Sequence, residues 1–392
     1  MKKIFILAVS AVLLAAGCQK TEIQNEARTP IGFSSQIGKL TKAVASSTPN
    51  AENAGQFDNL YQQSFKVWGY FATEGDINYA KNELYLGGVN VFGDKTEAEG
   101  EDGKPVDVFT WHTSDTYYWP GKDKELDIYA ISSWENADQG YALTLVDTES
   151  PNNNVTIDPV SRTVTVKDFV VKSGADNDLM VAPMIRQDQD DAKEVKPAFK
   201  HALTKVLVKF KRSGEYPVYV VSATTSPINS KATLSVTNTE PTSTSGPKLS
   251  KAELSWGEQS EPVQYLAQCA QTFVEIPNVV GGSKTTYSGV ELPYDETTEA
   301  GTFVTFGSWL LLPQEITTDI ADPLKDIYLD VEYIVAGNYI QQRFMLKAGN
   351  VTEWKKNQQT TYNVTISPDD ITFEPEVDAW TSENNQTDEF EN

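Results

Sequence analysis

Between Thr204 and Arg212 the chain sorts its side chains by parity. Val206, Val208 and Phe210 alternate with Lys205, Lys209 and Lys211, and a two-residue period sends apolar groups to one face of a strand and ammonium groups to the other. Comparable short runs recur along the sequence, punctuated by Gly, Pro, Asn and Asp, with abundant Val, Thr, Tyr and Phe. No long stretch repeats at 3.6 residues. An all-β fold is therefore expected, its strands joined by turns rather than by crossover helices.

With 392 residues the chain is long enough for two domains. Strand-like sequence lies on both sides of a polar run, Gln187 to Glu194, that holds Asp188, Asp190 and Asp191. The expected division is an N-terminal β domain over 19–186, a linker over 187–198 and a C-terminal β domain over 199–380. An acidic, polar tail over 381–392 follows. Residues 94–103 are expected to form an acidic loop. Residues 309–314, a continuous apolar run, should be a strand buried on both faces. In the last strand, 371–380, Ile371, Phe373, Val377 and Ala379 alternate. Pro375 cannot donate to a ladder, which places that strand at a sheet edge or a bulge.

The N-terminus carries an export signal over 1–18. Lys2 and Lys3 precede an apolar run too short for an ordinary membrane span, which ends in Ala15-Ala16-Gly17-Cys18. This ending looks like a lipobox, with Leu14 one step earlier than the usual leucine, and makes Cys18 the site of diacylation. The alternative is an ordinary secretory peptide with an incidental cysteine. Removal of the signal leaves Cys269 without a cysteine partner in the same mature chain, so stability must come from sheet packing rather than disulfides. Acidic residues number 55 against 32 basic, a formal charge of −23. Nucleic-acid phosphates would be repelled, and a soluble extracellular surface is favoured.

After a polar tether over 19–28, residues 31–37 form the first strand candidate, with Ile31, Phe33 and Ile37 on one face. The following loop, 38–56, has no apolar period and contains Lys39 and Lys42, both open to a trypsin-like protease. The residues leave two accounts standing: a fixed edge strand with a flexible linker, or a removable strand with its cleavage loop.

Little in the sequence points to catalysis. His112 sits beside Trp111, and its polar neighbours Ser114 and Asp115 do not make a nucleophile, base and orienter. His201 opens a strand, where a partly buried ring bonded to backbone is the favoured account. Nucleophile-elbow, phosphate-loop, dinucleotide and metalloprotease motifs are missing, nothing selects a pair of carboxylates for glycoside hydrolysis, and Cys269 has no flanking base to activate it. No enzyme and no cofactor is expected. Asp188, Asp190 and Asp191 lack the glycine and terminal glutamate of a calcium loop, so a solvated linker is favoured over a metal site. Trp111, Tyr117, Tyr118 and Trp119 would suit a sugar-stacking platform, but core packing is the commoner use of such a cluster.

Five stretches together carry a family resemblance. Asp178-Leu-Met-Val-Ala182 is followed, after the acidic spacer, by Phe199-Lys-His-Ala-Leu-Thr-Lys-Val206. Tyr117-Tyr-Trp-Pro120 precedes a strand containing Tyr129-Ala130. Trp309-Leu-Leu-Leu-Pro-Gln314 and Thr361-Tyr-Asn-Val-Thr-Ile366, with its turn and final strand to Trp380, complete the set. The pattern resembles the fimbrillins of Bacteroidales, the subunits of surface fimbriae of the type V class.

The resemblance implies two β-sandwich, transthyretin-like domains in tandem. It also implies a lipoprotein precursor, held at the outer membrane through Cys18, that is cut after a basic residue in the early loop. The first strand then leaves, and a strand from the next subunit takes its place, so that a fibre supporting adhesion grows. On this sequence the cut follows Lys42 or Lys39. Arg28 is a third choice, and a cut there would leave the strand behind; the family prefers arginine. The departing residues are Ile31, Phe33 and Ile37, and the donor residues are Ile371, Phe373, Val377, Ala379 and Trp380. Implied partners are other fimbrial subunits, the outer membrane and a surface glycan or protein. The alternatives are a fimbrial anchor that keeps its lipid and first strand, a tip adhesin that accepts a donor but offers none, and a glycan-binding lipoprotein that never polymerises.

Overall fold

A computed structural model describes residues 29–34, 65–73, 80–99, 105–122, 124–137, 140–142, 154–171, 177–191, 194–243, 246–267, 274–280, 283–318 and 326–379. Cys18, Arg28, Ile37, Lys39, Lys42, Cys269, Trp380 and the acidic tail lie outside them.

Among the described residues every regular element is a strand. The first nine are β1 (Gly32–Phe33), β2 (Phe65–Phe71), β3 (Leu84–Glu99), β4 (Pro105–Thr113), β5 (Leu126–Ala137), β6 (Gly140–Ala142), β7 (Val155–Asp158), β8 (Thr163–Val170) and β9 (Asn177–Val181). Across the middle come β10 (Ile185–Gln187), β11 (Glu194–Val195), β12 (Lys200–His201), β13 (Thr204–Arg212), β14 (Val218–Thr225), β15 (Ile228–Asn238) and β16 (Lys248–Leu249). Then follow β17 (Ala252–Trp256), β18 (Ser260–Val263), β19 (Val274–Val280), β20 (Ser283–Glu291), β21 (Tyr294–Asp295), β22 (Ala300–Gly301) and β23 (Val304–Leu311). The last six are β24 (Gln314–Glu315), β25 (Tyr328–Val335), β26 (Asn338–Met345), β27 (Glu353–Trp354), β28 (Gln358–Ile366) and β29 (Ile371–Ala379).

The largest sheet runs β12-β9-β5-β2-β3-β4, with β6, β10 and β16 attached beside it. A second runs β23-β13-β28-β29, a third β19-β20-β14-β25-β26 and a fourth β17-β15-β8-β7. Strand β13, whose alternation announced the fold, lies between β23 and β28 and is parallel to the latter. That central place explains a departure from the half-buried strand expected there. Val206, Val208 and Phe210 are fully buried, but so are Thr204, Lys205 and Leu207. Only Lys209 and Lys211 keep partial access to solvent.

The expected break at 187–198 does not separate the sheets. β9 pairs with β12 and β10 with β16, each across that interval. The hairpin β7–β8, counted by sequence with the first half, pairs through β8 with β15 of the second. Arg186 fastens this sheet to the largest one: its guanidinium grips Asp127 through two bonds, of 2.7 and 2.9 Å, and also meets Glu240, which Arg162 holds at 2.8 Å. The acidic loop expected over 94–103 is corrected over 94–99, where β3 continues in register with β4, while residues 100–103 lie outside the described ones.

Buried apolar side chains fall into two groups, one on each face of the largest sheet. Tyr129, Ile131, Leu179 and Val181 point into the larger core, which they share with β13, β14, β15, β23, β25 and β28. Their neighbours Ile128, Ala130, Met180 and Ala182 point the other way, into a smaller core. The alternation in β5 and β9 is a strand period with both faces covered.

Candidate assembly site

What covers the smaller core defines the site. The sheet contributes Phe65, Val67, Leu86, Val91, Ile128 and Met180, among others; the cover is made of Ile31, Phe33, Trp119, Val195 and Phe199. These five come from three short stretches with little regular structure of their own. Phe199 packs its ring 5.3 Å from Phe65.

Residues 29–34 form the central piece of that cover. The Ile31 N–H donates to the Tyr117 carbonyl at 2.8 Å, and the Trp119 N–H donates to the Thr29 carbonyl at 2.9 Å. On the other side β1 runs parallel to β11, with Gly32 opposite Glu194 and Phe33 opposite Val195. The Ser34 N–H closes the ladder on the Val195 carbonyl at 3.0 Å. Ile31 and Phe33 are each only 6% exposed. The segment thus fills a slot between two backbone rails, 117–119 and 194–195, and plugs the core beneath with two side chains. The Tyr85 hydroxyl braces the first rail by donating to the Tyr118 carbonyl at 2.5 Å.

Of the expected removable strand, the described part is confined to this segment, with regular pairing only at Gly32 and Phe33; Ile37 lies outside it. The rails are not legible in the residue pattern. Glu194 and Val195 fall within the expected linker, and Tyr117 to Trp119 offer, by sequence, only packing or a sugar platform. Packing is what three of the four do, since Trp119 is 3% exposed, Trp111 lies 5.2 Å from Phe65 and Tyr117 packs against the same core, while Tyr118 is 39% exposed. The cluster's backbone role leaves no mark on side-chain type. The Pro120-Gly121 turn that ends the rail is the one local signal.

The expected donor stretch is β29, an outer strand with β28 as its ladder neighbour, as Pro375 requires. Register runs unbroken from Gln358 opposite Ala379 to Ile366 opposite Ile371. Ile371, Phe373, Pro375 and Val377 share the inward face but only half-fill it, and Val377 is 46% exposed. Phe373 stacks between Phe344 at 4.9 Å and Tyr362 at 5.3 Å. Tyr362 is itself fixed, its hydroxyl donating to the Leu346 carbonyl at 2.8 Å and accepting from Trp354 Nε1 at 3.1 Å. Burial pushes that phenol well above the usual range.

Other residues of interest have structural tasks. The His201 ring, expected to bond to backbone, meets a carboxylate: its Nδ1 lies 2.6 Å from Asp178 Oδ2, with both side chains buried. His112 is exposed near the Phe92 ring. Glu125, Asp188 and Asp191 are the acids close enough to share a cation among the described residues. Asp188 Oδ1, however, accepts the N–H groups of Asp190 and Asp191 at 2.8 and 2.9 Å, and the Lys248 ammonium pairs with Glu125. That geometry shapes a turn.

A family model described as fimbrillin-like matches residues 88–380. The chain belongs to the fimbrillin-like family. It is accordingly a structural protein rather than an enzyme, with the role of a fimbrial subunit at the cell surface among other fimbrial subunits. The match takes in both rails and β29, and begins after the 29–34 segment. Comparison with curated proteins finds no match. Among solved structures, the fimbrillin-like chain is similar to a fimbrial protein from Bacteroides vulgatus at 13% identity, covering 90% of this chain and 99% of that one, with a TM-score of 0.45. A tip fimbrial protein, Mfa3, from Porphyromonas gingivalis, solved with a C-terminal truncation, is similar at 11% identity over 82% of this chain and 96% of that one, with a TM-score of 0.31.

Proposed function

We propose that this fimbrillin-like protein is a fimbrial subunit assembled by donor-strand exchange. The precursor is exported, acylated on Cys18 and carried to the outer membrane. A protease then cuts after Lys42 or Lys39, and the segment containing Ile31 and Phe33 leaves its slot. Strand β29 of the next subunit, through Ile371, Phe373, Val377 and Ala379, fills it together with Trp380 that follows the strand. Such a contact joins unlike surfaces of two copies and does not close on itself, so it propagates as a filament that presents the chain for adhesion.

One observation carries this reading: the 29–34 segment closes an otherwise complete core through only two buried side chains and a few backbone bonds. Loss of Ile31 and Phe33 would uncover apolar surface worth about 1.5–3 kcal/mol per side chain, together with two unpaired rails. A strand supplied from outside satisfies both at once. β29 suits the part because a strand at a sheet edge has one ladder to break.

The experiment is limited trypsin digestion of purified precursor, followed by unboiled denaturing gels and N-terminal sequencing. A ladder of multimers whose subunits begin at Ala43 or Leu40 is expected, and truncation after Ser367 should leave a folded monomer that forms no ladder. A ladder that survives the truncation would exclude β29 as donor.

A further inference from the structure

The slot and the outer strand carry the same two side chains at the same spacing. Ile31-Gly-Phe33 is the buried part of one, and Ile371-Thr-Phe373 opens the other. We propose that β29 of a second copy enters the slot in a single register, with Ile371 in the place of Ile31, Thr372 in that of Gly32 and Phe373 in that of Phe33. The inference rests on the strand-exchange reading above and fixes its geometry.

One feature selects this register and two more are compatible with it. The first is shape: an isoleucine and a phenylalanine are returned to the cavities that an isoleucine and a phenylalanine left. The second is the backbone. Ile31 and Ser34 donate N–H bonds to the Tyr117 and Val195 carbonyls, and Thr29 offers its carbonyl to the Trp119 N–H. Ile371, Glu374 and Asp369 supply the same groups at the same intervals, and Asp370 falls where Pro30 has no N–H to give. The third is the gain on transfer. On its own sheet Phe373 is partly exposed, whereas the Phe33 position is 6% exposed.

Other registers fail on specific atoms. A shift of one residue turns Thr372 and Glu374 into the core, because the side-chain period of a strand is two. A shift of two puts the small Pro375 ring where the Phe33 phenyl belongs. A shift of four sets Pro375 at the Ile31 position, and the Tyr117 carbonyl loses its donor. A shift of six offers only Val377 and Ala379 and leaves most of the phenyl cavity empty. The incoming strand also runs parallel to β11, as β1 does.

The register is read by disulfide mapping in a Cys269→Ser background. Gly32 pairs with Glu194, so Thr372→Cys on one copy should face Glu194→Cys on another at a distance a disulfide tolerates. After trypsin trimming and mild oxidation, mixtures of the two variants should give a covalently linked dimer that reduction abolishes. Glu374→Cys and Glu376→Cys, each mixed with Glu194→Cys, should give little. A multimer ladder with its dominant cross-link at 374 or 376 would overturn the register and leave strand exchange intact. Absence of any ladder from the trimmed parent protein would overturn both.

Discussion

Asp178 Oδ2 and His201 Nδ1 lie 2.6 Å apart with neither side chain open to solvent. The contact spans the β9–β12 pairing, in which His201 stands opposite Met180, and so locks the first strand pair that crosses the expected linker. Removing one member of a buried polar pair leaves the other stranded, a loss of about 3–5 kcal/mol in comparable cases. Asp178→Ala should lower the urea midpoint accordingly. Replacing both residues by leucine should recover part of the loss, because no buried polar group then lacks its counterpart. Equal stability of the single and double variants would show that the pair contributes by its shape alone.

Seven tyrosines among the described residues have raised phenols, which makes the fold sensitive to alkali, and three of them are raised most. Burial raises the phenols of Tyr129, Tyr265 and Tyr362, with the Asp127 carboxylate adding to the effect at Tyr129. In the unfolded chain they ionise near pH 10, while in the folded chain they stay protonated beyond it. The unfolded state therefore binds fewer protons above that point, and stability falls as pH rises. It is fully present below about pH 10 and declines by about 1.4 kcal/mol per pH unit for each tyrosine above it. Urea titrations between pH 9 and 12 should show the decline, and Tyr362→Phe should lessen its slope by about 1.4 kcal/mol per pH unit.

The sequence announces strands by their alternation, and Val206, Val208 and Phe210 in β13 or the run in β29 sit as that pattern requires. It cannot announce partners. β8 joins β15 across a long stretch of chain, with Thr165 opposite Ser235, and nothing local in either strand names the other. The site divides in the same way. Ile31 and Phe33 are legible because they are apolar and alternate, and Pro375 discloses the edge. The rails at Tyr117 to Trp119 and Glu194 to Val195 act through backbone groups, which every residue possesses, so residue type gives no hint of them. Lys205 departs from expectation for a related reason: its strand is covered on both faces, which only the tertiary structure reveals.

Two phenylalanines at unequal depth test how firmly β29 is held. Phe210 is fully buried, with the Phe306 ring edge-on at 5.4 Å, and Phe210→Ala should cost about 3–5 kcal/mol. Phe373 is only partly covered, although stacked on two rings, so Phe373→Ala should cost clearly less than that range. Chemical denaturation of both variants gives the comparison. A loss at Phe373 equal to that at Phe210 would mean that β29 is bound to its own sheet as tightly as the core strands are, and would count against its release as a donor.

The cleavage proposed above has very few bonds open to it. Between Thr29 and Lys66 the only basic residues are Lys39 and Lys42, and Lys66 is 5% exposed within β2, where a protease cannot reach its backbone. A cut at Arg28 leaves residues 29–34 seated between their rails. Either single variant, Lys39→Gln or Lys42→Gln, should still lose the segment through the remaining lysine. The double variant should keep it, stay monomeric after trypsin and show a new N-terminus no later than Thr29. Mass spectrometry of the trimmed chain and unboiled gels read both outcomes from one digest. A double variant that forms multimers with residues 29–34 still attached would show that the slot need not be vacated, and the strand that leaves would have to be sought elsewhere in the chain.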